Sequence, residues 1–157
     1  MVLHLDTSAL VKLFVREPGD QLVHELVQEA DAVTTSRVAY AEACAAIARS
    51  RREGRLAESP FREALAELKA KWPDFAAVEV DELIAGDLAV KHALRGFDAI
   101  HLAAALRIRA GIGKETFTFS TFDSRQAAAA RDEGFRVLPE PRGVKSRAPA
   151  LTRPSRR

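Results

Sequence analysis

AVTTSRVAYAEACAAIA, residues 32–48, decides how this chain is read. The first four residues are a β-rich run of the kind that forms a strand. Ser36 follows as a candidate helix cap. Residues 38–48 then carry one charge, Glu42, in a helix that would be apolar on nearly every face and therefore buried. A lone carboxylate there must neutralise, pair with a cation or open into a cleft, because an isolated charge in a low-dielectric interior is costly.

Outward from this stretch the same alternation repeats. Residues 2–5 read as a strand, 8–15 and 21–30 as helices separated by Pro18 and Gly19, and 59–71 as an amphipathic helix with Pro60 at its first position. Residues 75–80 are a third strand, and Asp81 caps a helix running to about Leu94. After Gly96, the strongly apolar DAIHLAAALRIRA predicts a helix over 98–110. Residues 116–120 and 135–138 are further strands, with a short helix over 124–133 closed by Gly134. Strands alternating with longer helices predict an α/β fold of three layers, α/β/α, around a mainly parallel sheet of about five strands. With 157 residues and 47% hydrophobic content, one domain with a real core is expected. That domain covers residues 1–138.

Residues 139–157 differ from the rest. PEPRGVKSRAPALTRPSRR holds four of the seven prolines, and its six Lys or Arg against one Glu give +5, which leaves −3 for residues 1–138 of a chain whose formal net charge is +2. With almost no large apolar residue it cannot offset the entropy of ordering, so a flexible basic tail is expected. It reads either as an electrostatic arm for nucleic acid or as a frayed terminus. Cys44 is the only cysteine, which excludes an intrachain disulfide and suits a small buried hydrophobe in a reducing cytoplasm. No run approaches the roughly 20 apolar residues of a membrane span, and MVLHLDTSAL lacks the pattern of a signal peptide. A cytoplasmic protein with no membrane association is the expectation.

Asp6, Glu42, Asp98 and Asp123 are far apart in sequence, yet each is placed at a strand exit or in a largely apolar helix. In an open parallel sheet the carboxyl ends of the strands share one edge, where ligand sites form. Four carboxylates there would repel unless cations were bound, and an all-oxygen set selects Mg²⁺, or Mn²⁺ in its place, over softer metals. The absence of a Cys or His cluster argues against structural zinc. These four are the candidate metal ligands and catalytic residues. Ser8 and Thr121, each two residues from one of them, would orient carboxylates or water. Taken singly, Asp6, Asp98 and Asp123 also fit as helix caps, and Ser8 and Thr121 as local backbone partners. His101, one turn from Asp98, reads as a histidine satisfied by packing and a neighbouring carboxylate. Arg49, Arg51, Arg52 and Arg55 read either as phosphate contacts or as the solvated end of a helix.

LDTSALVKLF, RVAYAEACAAI, GFDAIHLAAAL and TFSTFD, in that order and spacing, resemble the motifs of PIN-domain nucleases, most closely the VapC-like toxins of prokaryotic toxin–antitoxin pairs. The resemblance covers residues 1–138. It implies a Mg²⁺- or Mn²⁺-dependent endoribonuclease that cuts RNA with a metal-activated water, forms a homodimer and is silenced by a cognate antitoxin; helices near residues 22–27 and 61–68 offer apolar faces for the dimer. A phosphoacceptor receiver domain would need a second acid beside Asp6, where Leu5 stands, and a Lys after the last strand, where Pro139 stands. A haloacid-dehalogenase-like phosphatase would need an Asp where Ser8 stands. The remaining alternative is a PIN-like module that binds RNA or protein without catalysis.

Overall fold

A computed structural model describes residues 1–112 and 116–140; most of the basic tail expected at 139–157 lies outside the described residues. The element order is β1 (Val2–Leu5), α1 (Thr7–Leu10), a 3-10 turn (Val11–Leu13), α2 (Asp20–Glu29), β2 (Ala32–Ser36), α3 (Val38–Arg52), α4 (Glu58–Lys71), a second 3-10 turn (Trp72–Asp74), β3 (Ala76–Val78), α5 (Glu82–His92), α6 (Gly96–Ile112), β4 (Phe117–Ser120), α7 (Ser124–Asp132) and β5 (Arg136–Leu138). The five strands are all parallel in the order β3-β2-β1-β4-β5. Leu5 is in register with both Thr35 and Ser120, so β1 and β4 finish level and β2 runs one residue further, to Ser36.

Strand alternation divides the core in two. Leu3 and Leu5 face the layer of α1 to α4, where they pack with Leu10, Val23, Ile47 and Leu68. His4, between them in sequence, stacks on Phe117 and Phe119 at ring-centroid distances of 6.2 and 5.4 Å. Those phenylalanines belong to the second cluster, built with Leu88, Leu102, Ala130 and Val137 under α5, α6 and α7. The three-layer α/β/α architecture follows.

Several local expectations need correcting. The helix expected over 8–15 is one α-turn followed by a 3-10 turn. Ser36 does not cap α3: it ends β2 with its hydroxyl buried, and the position before α3 is Arg37, which makes no side-chain cap. α3 is not apolar-packed all round, because Ala41 and Ala45 are exposed while Ala39, Ala43 and Ile47 are buried; a run of alanines is small enough to tolerate water on one side. Cys44, expected to be buried there, is only partly so. The apolar faces at residues 22–27 and 61–68 are used within the chain, since Val23, Leu26 and Leu68 are buried and Leu22, Val27, Phe61 and Leu65 pack against the same cluster. Among the described residues the large apolar side chains left exposed are instead Leu83, Ile84, Val90, Phe97 and Ile112.

Candidate active site

The strand order reverses direction between β1 and β4, because the chain builds outward from β1 to β3 on one side and from β4 to β5 on the other. Such a reversal splays the connections apart and leaves a crevice at the carboxyl edge. A cleft of about 370 Å³ lies there, and all four acids line it, together with Thr7, Ser8, Lys12, Arg95, His101 and Gln126.

Asp6, the first residue after β1, is the deepest. It is 3% exposed and caps α1 by accepting the Ala9 N–H at 2.8 Å. Its other donors are hydroxyls, Ser8 Oγ at 2.7 Å and Thr121 Oγ1 at 2.6 Å. Each hydroxyl is itself set by a backbone amide of the loop after β4. Ser8 Oγ accepts the Phe122 N–H at 2.8 Å, and Thr121 Oγ1 accepts the Asp123 N–H at 3.0 Å. Burial pushes the Asp6 carboxyl above its usual range, outweighing His101 and the three donors, which act to lower it.

Asp123 caps α7, with Oδ1 accepting the N–H groups of Arg125 and Gln126 at 2.8 and 2.9 Å. Asp98 is not a cap. α6 starts two residues earlier than the sequence suggests, at Gly96, so Asp98 lies within the first turn, where the helix dipole favours an anion. Burial, then the nearby charge of Asp123, raises its carboxyl, with Glu42 adding to the effect and Arg95 and His101 opposing it. The cap reading and the site reading of Asp123 are thus compatible, because capping uses its Oδ1 and leaves its Oδ2 without a hydrogen bond among the described residues.

Glu42 reaches the cleft from α3. Its Oε2 accepts Thr7 Oγ1 at 2.6 Å and His101 Nε2 at 2.8 Å. Burial alone would raise this carboxyl, but the two hydrogen bonds and the nearby imidazole together hold it below the usual range. His101 does contact a neighbouring carboxylate, but that carboxylate is Glu42 on another helix.

Three site residues carry signals that were easy to pass over. Thr7 sits inside the LDTS motif. Gln126, 1% exposed, donates from Nε2 to the Asp98 carbonyl at 3.0 Å and lies 3.4 Å from Thr121 Oγ1; its signal is one amide buried in a run of alanines. Lys12, 7% exposed, pairs with Glu17 at 2.6 Å and lies 4.3 Å over the Phe122 ring. Of the basic run, Arg49 and Arg55 line the cleft, while Arg51 pairs with Glu58 at 3.0 Å.

The PIN domain family model matches residues 3–132. This chain belongs to the PIN-domain family. Within it, the chain is 39% identical over 145 residues to Ribonuclease VapC45 of Mycobacterium tuberculosis (strain CDC 1551 / Oshkosh), covering 88% of this chain and 95% of that protein. Ribonuclease VapC46 of Mycobacterium tuberculosis (strain ATCC 25618 / H37Rv) is 33% identical over 136 residues, covering 87% and 95%. The chain is a VapC-like PIN domain. Among solved structures, FitAcB from Neisseria gonorrhoeae shares the fold with a TM-score of 0.60 at 21% identity, covering 87% of this chain and 96% of the other. A toxin–antitoxin complex from Klebsiella pneumoniae matches with a TM-score of 0.52 at 19% identity, covering 80% and 90%.

The donor set of this PIN domain suits a hard cation, being oxygen throughout, with burial and then the neighbouring Asp123 charge pushing the Asp98 carboxyl up. It is not a ready-made cage: among the described residues no three His, Cys, Asp or Glu side chains are grouped closely enough to hold an ion. The expectation that four acids would converge therefore holds for the cleft and not for a single point. This arrangement still fits Mg²⁺, which usually binds through one or two carboxylates and keeps water and phosphate oxygens for the rest.

Proposed function

We propose that this chain is an endoribonuclease, the toxin of a toxin–antitoxin pair, which hydrolyses RNA phosphodiester bonds with Mg²⁺, or Mn²⁺ in its place. The observation that carries the reading is the meeting of Asp6, Glu42, Asp98 and Asp123 in one cleft of a VapC-like PIN domain. A bound divalent ion would supply water activation and neutralisation of charge building up on the phosphate.

The chain's own residues do the rest. Asp6, Glu42, Asp98 and Asp123 would hold the cation directly or through water. Ser8 and Thr121 fix both oxygens of Asp6, so its carboxylate cannot rotate away when charge in the cleft changes. Lys12, Arg49, Arg55 and Arg95 provide positive charge beside the acids, where a nucleic-acid backbone would lie. Residues 1–138 form the nuclease domain, with 139–157 as an appended basic segment. A cognate antitoxin, a homodimer and a cytoplasmic setting belong to the same reading, supported by the kinship with VapC ribonucleases. Among the described residues no helix is long and apolar enough to cross a membrane.

Purified total RNA incubated with the protein in Mg²⁺ or Mn²⁺ tests the proposal. Cleavage should disappear with EDTA and with an equally folded Asp98→Asn variant. Intact RNA after incubation with folded, antitoxin-free wild type would move the reading to a PIN-like module that binds RNA or protein without cutting.

A further inference from the structure

One polar network at the cleft is more constrained than metal binding by acids alone requires. Glu42 (α3), Thr7 (α1) and His101 (α6) close a triangle, with Thr7 Oγ1 and His101 Nε2 3.0 Å apart and both within 2.8 Å of Glu42 Oε2. Three helices on both faces of the sheet meet at one carboxylate oxygen. Because that carboxylate can only accept, the shared proton of the imidazole belongs on Nε2. Nδ1 is buried and makes no hydrogen bond among the described residues, while the His4 ring lies edge-on with its centroid 6.5 Å away.

Packing does not account for a histidine here. His101 is 2% exposed within the apolar run HLAAAL, a place where Leu would bury more apolar surface and leave no orphaned nitrogen. Among the described residues only the contact with Glu42 and Thr7 makes use of the ring's polarity. Meanwhile Glu42 Oε1 accepts no hydrogen bond among the described residues, although Glu42 lines the cleft.

We propose that His101, together with Thr7, is a positioning residue for this site: the two donors hold Glu42 Oε2 so that Oε1 is the oxygen offered to a divalent cation. The inference rests on the reading of Glu42 as a cation ligand. A free glutamate has three side-chain torsions to settle before it can bind an ion, whereas one oxygen tied at two points removes most of that search. Outer partners of this kind typically change metal affinity or activity by 10–100-fold.

The test is Mn²⁺ binding by the full chain without RNA, followed by calorimetry or by electron paramagnetic resonance of free Mn²⁺. His101→Leu should weaken Mn²⁺ binding by about 10-fold or more. His101→Gln, whose amide nitrogen reaches about as far as Nε2, should recover affinity to within roughly threefold of wild type. Thr7→Val should weaken binding in the same direction and serves as the deciding variant if His101→Leu is misfolded. In RNA cleavage at limiting Mn²⁺, kcat should fall with KM for RNA unchanged, and excess Mn²⁺ should restore kcat.

Wild-type Mn²⁺ affinity in either folded donor variant would overturn the clamp. Glu42→Gln separates this from failure of the site reading. If Glu42→Gln loses Mn²⁺ while the donor variants keep it, only the clamp is wrong. If Glu42→Gln also binds like wild type, Glu42 is not a ligand and the clamp falls with that reading.

Discussion

Thr121 Oγ1 donates to Asp6 Oδ2 at 2.6 Å across 115 residues of chain, joining the exits of β1 and β4 at the floor of the cleft. Through the Asp123 amide that it accepts, the same hydroxyl also sets the start of α7. One threonine therefore ties two of the four acids together.

Replacing it should be felt twice. Thr121→Val keeps the shape but removes a charge-assisted hydrogen bond from a buried carboxylate, a loss of about 1.5–3 kcal/mol. For a chain of this size the melting temperature should fall by roughly 5–10 °C, and RNA cleavage by about 10–100-fold. Thermal melts and initial rates on one preparation check both; unchanged rates with a lowered melting point would make Thr121 purely structural.

Asp98 and Glu42 should respond to pH with opposite signs. The Asp98 carboxyl is raised in the fold, so its ionised form destabilises the ion-free protein at neutral pH. Asp98→Asn should raise the melting temperature at pH 7.5, and this gain should vanish once pH falls below about 4, the unfolded value. Glu42 is depressed, so its contribution is full above the unfolded pKa and is lost as pH falls through the folded one. Glu42→Gln should therefore cost stability at pH 7.5, and that cost should shrink as pH falls below the unfolded value of about 4.5. Melting curves across pH 3–8 in EDTA test both signs.

Adding cation should reverse the penalty of crowded charge. At 100 times its dissociation constant a ligand specific to the folded state adds about 2.7 kcal/mol, or roughly 5–10 °C for this chain. Mn²⁺ should produce that shift in wild type, EDTA should remove it, and Asp6→Asn should shift much less. An equal shift in Asp6→Asn would place the ion elsewhere.

Gly19 supports the cleft from behind. Its φ of +95° is left-handed, and a Cβ there would lie 2.4 Å from the Phe122 ring, beside Thr121 and Asp123. Gly19→Ala should destabilise by at least about 1 kcal/mol through backbone strain alone. It should also slow cleavage by displacing Phe122, which the melting temperature and rate measured side by side would show.

How much of this was legible in the residues depended on the range of the interaction involved. The strands and longer helices follow from periodicity, and their alternation carried the parallel three-layer fold. The acids could be placed in one cleft because strand exits share an edge, whatever the strand order. The order β3-β2-β1-β4-β5 itself is long-range and left no local mark. Ser36 looked like a cap because capping is judged from neighbours, whereas β2 extends through it to pair with Val78 of β3. The faces at residues 22–27 and 61–68 looked available because amphipathicity does not say whether the apolar side meets the chain's own core or another molecule. In sequence the acid nearest to His101 on its own helix is Asp98, one turn away, while its partner comes from 59 residues earlier. Hydrogen bonds of that separation are visible only in the fold.

The acids of the cleft come from positions 6, 42, 98 and 123, and Asp6 receives one of its donors from position 121. During synthesis the first of them emerges long before the last. Until β4 and the loop after it have left the ribosome and docked beside β1, Asp6 lacks Thr121 and the cleft has neither Asp123 nor Gln126. A chain that stops before β4 would therefore carry three of the four acids and an Asp6 without its Thr121 donor, so the cleft is among the last parts of the fold to be completed.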